Sequence, residues 1–175
     1  MSSLNRGVAK VEVTLKWDPS PLGKSAHDLD VVAATFTSND PTGKPAYLVH
    51  FGSRSPDGTI TLDRESRTGQ GFGSDEEMTL ELDRLAPAYT RVVVGVAIQQ
   101  RDGRLTFGDI VNPSFRVLEG YTELAAYDFS GVAASTAATV AEFTRDAGSG
   151  AWRFQVAVRG FDADPQSFGA LMGGA

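Results

Sequence analysis

An all-β fold, an antiparallel sandwich or barrel, follows from three observations in this 175-residue chain. About ten short segments are β-branched, aromatic or alternately apolar. Turn signals built from Gly, Pro, Asn and Asp separate them roughly every eight to fifteen residues. No segment repeats its apolar residues with the 3.6-residue period of an amphipathic helix, so at most short helical pieces are expected.

The elements are justified in chain order. Val11, Val13, Leu15 and Trp17 alternate with Glu12, Thr14 and Lys16, the period of a half-buried strand. Asp18-Pro19-Ser20-Pro21 ends it. Residues 31–36 are a continuous apolar run of strand length, and Asn39-Asp40-Pro41-Thr42-Gly43 is a turn. Residues 46–51 form the next strand, and Pro56-Asp57-Gly58 turns the chain into a short one over 59–62. Met78, Leu80 and Leu82 alternate with Thr79, Glu81 and Asp83. Residues 91–98 are strongly β-branched and predict a central strand, closed by the turn Arg101-Asp102-Gly103. Residues 105–107, 114–118 and 124–129 predict further strands. The Ala-rich stretch 132–142 fits either a helix or a loop plus strand. Residues 140–145 and 152–158 pair across Asp146-Ala147-Gly148-Ser149-Gly150. The whole chain, 1–175, is expected to be a single domain with its core over about 8–160. Beyond a short helical turn near Asp162, the tail 161–175 is expected to be loosely ordered.

Bulk composition narrows the function. With 16 Lys and Arg against 22 Asp and Glu, the net charge of −6 disfavours nucleic acid or an anionic membrane surface. There is no cysteine, which excludes disulfides, thiolate metal sites and a cysteine nucleophile. The N-terminus lacks the apolar stretch of a signal peptide, and no apolar run approaches the length of a membrane span. A cytoplasmic protein is therefore expected.

The most informative stretch is 55–78. It opens on Pro56-Asp57-Gly58, passes Gly69, Gly71 and Gly73 at every second position, and closes on Asp75-Glu76-Glu77. Closely spaced glycines let a backbone turn its carbonyls inward. Carbonyls and carboxylates in a tight loop suit Ca²⁺, a hard cation that takes six to eight oxygens. Asp28-Leu29-Asp30 puts two carboxylates on one side at the start of a strand, an arrangement that a cation would neutralise. Taken singly, each acidic cluster fits a solvated strand end equally well.

Other chemistries find no support. The EF-hand pattern is absent, so a calcium site would have to be assembled from separate loops. Gly69-Gln70-Gly71-Phe72-Gly73 misses the dinucleotide spacing and precedes a strand. Gly23-Lys24-Ser25 lacks the first glycine and the frame of a P-loop. His27 and His50 have no serine in a nucleophile-elbow context near them, and no catalytic residue is expected.

The order of these pieces resembles the TerD family, the tellurium-resistance and general stress proteins of bacteria, over about 11–160. The matching pieces are Leu15-Lys16-Trp17-Asp18, Asp28-Leu29-Asp30, Ser55-Pro56-Asp57-Gly58 and the run from Thr68 to Glu76. Phe107-Gly108, Asn112-Pro113, Tyr127-Asp128-Phe129 and Trp152-Arg153-Phe154 follow in the same order. The resemblance implies a β-sandwich of two antiparallel sheets with no enzymatic activity, binding Ca²⁺ through the D-L-D segment and the acidic Gly-rich loop. It also implies partners among other stress-resistance proteins, in cytoplasmic or membrane-associated complexes.

The chain departs from the family's pattern inside the loop. Phe72 and Ser74 stand where the family has Asp, and Glu65-Ser66 where it has Asp-Asn. The implied calcium ligands that survive are Asp28, Asp30, Asp75 and Glu76. Glu65 and the Gly69 and Gly71 carbonyls complete the set. Two readings follow: a stress-response protein that binds Ca²⁺ weakly or at one remaining site, and a member that has lost calcium and serves as an interaction subunit, with Phe72 as an anchor. Affinity rises with ligand charge count. The double substitution Phe72→Asp with Ser74→Asp is therefore expected to tighten Ca²⁺ binding in a calorimetric titration. Unchanged binding would mean that these loop positions are not ligand positions.

Overall fold

The computed structural model of the chain describes residues 7–71, 73–101 and 103–174. Among them run ten strands: β1 (Lys10–Asp18), β2 (Leu29–Thr37), β3 (Tyr47–Val49), β4 (Ile60–Arg64), β5 (Glu76–Glu81), β6 (Tyr89–Ile98), β7 (Val111–Glu119), β8 (Thr122–Tyr127), β9 (Ala137–Arg145) and β10 (Trp152–Phe161). They form two five-stranded sheets, ordered β4-β5-β1-β7-β8 and β10-β9-β6-β2-β3. Neighbouring strands pair antiparallel, as in β1 with β5 and β2 with β6. Of the two architectures that the strand pattern allows, the sandwich is the one adopted. No helix among the described residues is long and apolar enough to cross a membrane.

The main core lies between the sheets. The alternating residues Val11, Val13, Leu15 and Trp17 of β1, with Met78 and Leu80 of β5, belong to one buried cluster with Val31, Ala33, Val92, Val94 and Val96 of β2 and β6. Burying each large apolar side chain contributes about 1.5–3 kcal/mol.

One strand differs from expectation. Residues 105–107 are not a strand. Phe107–Asp109 is a 3₁₀ turn in which the Asp109 carboxylate accepts the Thr106 N–H at 2.9 Å. Phe107 turns inward and stacks on Phe129 with ring centroids 4.6 Å apart, a contact that an extended chain would not give it. Of the two readings of the Ala-rich stretch, loop plus strand is the one adopted: a 3₁₀ turn, Ser130–Val132, leads through a short connection into β9.

The tail is packed rather than loose. A one-turn helix, α1 (Pro165–Phe168), is capped by Asp164, whose carboxylate accepts the Ser167 N–H at 2.9 Å. A 3₁₀ segment, Gly169–Gly174, continues from it. Phe168 and Met172 are wholly buried against Val32, Ala34, Phe36, Val93, Ala97 and Ala137, on the face of the second sheet turned away from the first. Gly95 makes room for the Phe168 ring, since a Cβ there would lie 2.7 Å from the ring and 2.5 Å from the Ala138 carbonyl oxygen. Arg91 then anchors the end of the chain. Its guanidinium donates to the carbonyls of Pro41 and Gly173, both at 2.8 Å, and to Glu142 at 2.6 Å. The physical reason is visible in β2 and β6: their continuous apolar runs have two faces to cover, and the first sheet covers one. Phe168→Ala is therefore expected to lower stability by about 3–5 kcal/mol in urea denaturation, because it opens a cavity on that face. An unchanged midpoint would mean that the tail adds nothing to the fold.

Candidate functional site

The site begins with a carboxylate that faces inward. Burial alternates along β5, so Glu76 shares the core-facing side of Met78 and Leu80. β3 is short and pairs only with residues Ala33, Ala34 and Thr35 of β2. Nearer the start of β2, the Val31 N–H is taken by Glu76 Oε1 at 2.8 Å, which ties a strand of one sheet to a strand of the other. The second oxygen, Oε2, is buried without a hydrogen-bond partner.

Asp28 and Asp30 meet the end of β6 and the segment that follows it. The Asp28 carbonyl accepts the Gln99 N–H at 2.8 Å and extends the β2–β6 ladder by one step. From there the Gln99 side-chain amide donates to Asp30 Oδ2, and Arg101 Nη2 to Asp28 Oδ2, both at 2.9 Å. Asp28 Oδ1 is buried and has no partner. These side chains line a cleft of about 270 Å³ together with Glu65, Arg67, Phe51 and Gln166.

The glycine loop is braced from the neighbouring strand. Gly69 has φ +76°, and a Cβ there would lie 2.5 Å from the Trp17 indole nitrogen, so the position accepts only glycine. The indole itself donates to the His27 carbonyl at 2.9 Å. Ser66 Oγ accepts the Gly69 N–H at 3.0 Å, and Lys16 Nζ donates to the Gly73 carbonyl at 3.0 Å. Asp75 Oδ2 accepts the Trp17 N–H at 2.8 Å, prolonging the β1–β5 ladder through a side chain. The structure thus gathers Asp28, Asp30 and Glu65 at one cleft. It sets Asp75 and Gly69 against Trp17, and leaves Gly71 exposed on the loop. Phe72, the expected anchor, lies outside the described residues.

Four carboxylates here are almost wholly buried: Asp28 at 5%, Asp30 at 3%, Asp75 at 1% and Glu76 at 0% relative exposure. Burial pushes the Glu76 carboxyl up to about 10; Asp30, Asp28 and Glu65 push the same way, against the Val31 N–H. Burial, reinforced by Asp28, raises Asp30 to about 7, against the pull of Gln99. Asp28 is raised by burial and held back mainly by the Arg101 guanidinium. A buried acid oxygen without a hydrogen-bond partner is a costly arrangement, and two occur here, Asp28 Oδ1 and Glu76 Oε2. Acid oxygens are the donors a hard cation takes, and the Arg67 and Arg101 guanidinium groups line the same cleft. The acids do not form a ready-made chelate: among the described residues no three His, Cys, Asp or Glu side chains are grouped to hold a metal.

Sequence reasoning missed Arg101 and Gln99 as partners of the two aspartates. No local pattern announces them; only the β2–β6 register brings 99–101 beside 28–30. His27 Nδ1, beside Asp28, is also buried without a hydrogen-bond partner. His27 is buried, which lowers its pKa, and His50 Nδ1 accepts the Gly52 N–H at 3.0 Å.

Comparison with known proteins places the chain as a whole. The family model of the TerD domain matches residues 1–168. The tellurium resistance protein TerD of Serratia marcescens is 28% identical over 166 residues, covering 92% of this chain and 85% of that protein. General stress protein 16U of Bacillus subtilis is 25% identical over 169 residues, covering 92% and 86%. The crystal structure of a homologue of the telluride resistance protein TerD, from Streptomyces coelicolor, superposes with a TM-score of 0.92 at 57% identity, covering 95% of this chain and 98% of that one.

The buried carboxyls give metal-free stability a definite pH dependence. Asp30 keeps its proton up to about pH 7 in the folded protein, whereas the unfolded chain loses it near 3.8. Over that window the unfolded state binds fewer protons, so stability is greatest at the acid end and falls as pH rises towards 7. Glu76 acts in the same direction over a window from 4.5 to about 10. Asp30→Asn keeps an oxygen for Gln99 and removes the charge. In melts with chelator it is expected to match the parent near pH 4 and to gain several degrees by pH 8. Parallel curves across the range would rule out the Asp30 charge as a source of the slope.

Proposed function

The chain belongs to the TerD family, and from that premise we propose that it is a non-enzymatic stress-response protein of the cytoplasm that binds one Ca²⁺ weakly at the Asp28–Asp30 cleft. The observation that supports this most is the pair of buried, unpartnered acid oxygens, Asp28 Oδ1 and Glu76 Oε2. Asp28, Asp30 and Glu65 would hold the ion, and Glu76 would contribute from the core side. Asp75 and the Gly69 and Gly71 carbonyls would act through the position of the loop. A bound cation supplies the positive charge that the carboxylates lack. Other stress-resistance proteins, in soluble or membrane-associated complexes, are the proposed partners.

A second reading has its own support. Each of the four buried acids already has one protein partner: Arg101, Gln99, the Trp17 N–H and the Val31 N–H. On that reading the member has dispensed with calcium and works as an interaction subunit. Titration of metal-stripped protein separates the two. Weak binding should give calorimetric heat and a rise in melting temperature, because a ligand at 100 times its Kd stabilises the fold by about 2.7 kcal/mol. Absence of both heat and shift at millimolar Ca²⁺ leaves the second reading in place.

A further inference from the structure

We propose that Arg101 is an internal counter-ion that competes with a divalent cation for Asp28 and so sets how tightly the cleft binds. The inference rests on the calcium reading above and adds to it a residue that governs affinity.

The segment after β6 offers one partner to each aspartate: neutral Gln99 to Asp30 and cationic Arg101 to Asp28, both at 2.9 Å. Its place is fixed by main-chain pairing, since the Gln99 N–H donates to the Asp28 carbonyl at 2.8 Å. The two members of the ion pair differ sharply in exposure. The Asp28 side chain is 7% exposed and that of Arg101 is 51% exposed. The acid is therefore held by the fold, while the guanidinium reaches in from solvent at the end of a long stem. The guanidinium can therefore leave for solvent, but doing so uncovers a buried acid unless another cation takes its place. Arg101 also leaves Asp28 Oδ1 without a donor, although a guanidinium carries five N–H groups. It supplies the right sign of charge but satisfies only half of the acid.

A permanent cation on Asp28 and a divalent cation on the same carboxylate repel each other, so metal entry requires the guanidinium to swing out. Metal-free protein retains Arg101 as its substitute charge. Binding is correspondingly weaker than the carboxylates alone would give.

The test titrates full-length, metal-stripped protein with Ca²⁺ by calorimetry and compares the parent with R101Q, R101K and R104Q. Arg104 is a nearby exposed arginine paired at 3.3 Å with Asp162, away from the two aspartates, and it controls for net charge. R101Q is expected to bind roughly threefold to tenfold more tightly than the parent. R101K and R104Q should stay near it. In chelator, R101Q should melt below the parent, and saturating Ca²⁺ should close or reverse that gap. Equal affinity of R101Q and the parent overturns the competition while leaving the calcium reading intact. Weaker binding by R101Q overturns it too, since Arg101 would then be positioning Asp28 for the metal. Equal tightening in R104Q would reduce the effect to net charge. If no variant binds at millimolar Ca²⁺, the calcium reading and the competition fail together.

Discussion

The hydrogen bond from the Val31 N–H to Glu76 Oε1 is the constraint on which the site depends. It exists because β5 sends every second side chain inward and because β3 stops before reaching residue 31. The β1–β5 register sets Leu15 opposite Glu76 and, one step further, lets the Asp75 side chain take the Trp17 N–H. Slipping that register by one residue would turn Glu76 to solvent and drag Asp75 off Trp17. The acidic turn is thus part of the sandwich and not an appendage to it.

The tail and the site share a boundary. By alternation Asp30 lies on the same face of β2 as Val32, Ala34 and Phe36, the face that Phe168 and Met172 cover. Gln166, from the one-turn helix of the tail, completes the cleft beside Asp28 and Asp30. The tail that covers the second core thus also supplies one wall of the cleft.

The charge pattern explains how one scaffold can lean towards metal or away from it. Gly69, Gly71 and Gly73 keep the glycine spacing of the pattern that the chain resembles, while Phe72 and Ser74 stand where that pattern has Asp. Donors from the protein take one oxygen of each acid that the core buries. What is left over, Asp28 Oδ1 and Glu76 Oε2, is the electrostatic deficit that a cation or a proton must meet.

The sequence by itself determined the fold class, because period-two alternation and closely spaced turns leave an antiparallel sheet protein little alternative. It also drew attention to the acids of 28–30 and 75–77, but that Glu76 faces inward came from the structure, where burial alternates along β5. The double burial of β2 and β6 was equally readable, since residues 31–36 and 92–98 show no polar face. What would cover that second face was not, because Phe168 and Met172 sit in a short segment with no periodicity of its own. Only the tertiary structure decided the partners. Arg101 lies 73 positions from Asp28 and Glu76 lies 45 from Val31, and contacts across such separations are set by strand register and sheet stacking. The acidic turn was visible in the sequence as a run of glycines and acids, whereas the contacts of its acids with the Trp17 and Val31 N–H groups depend on distances that exist only once the two sheets have closed.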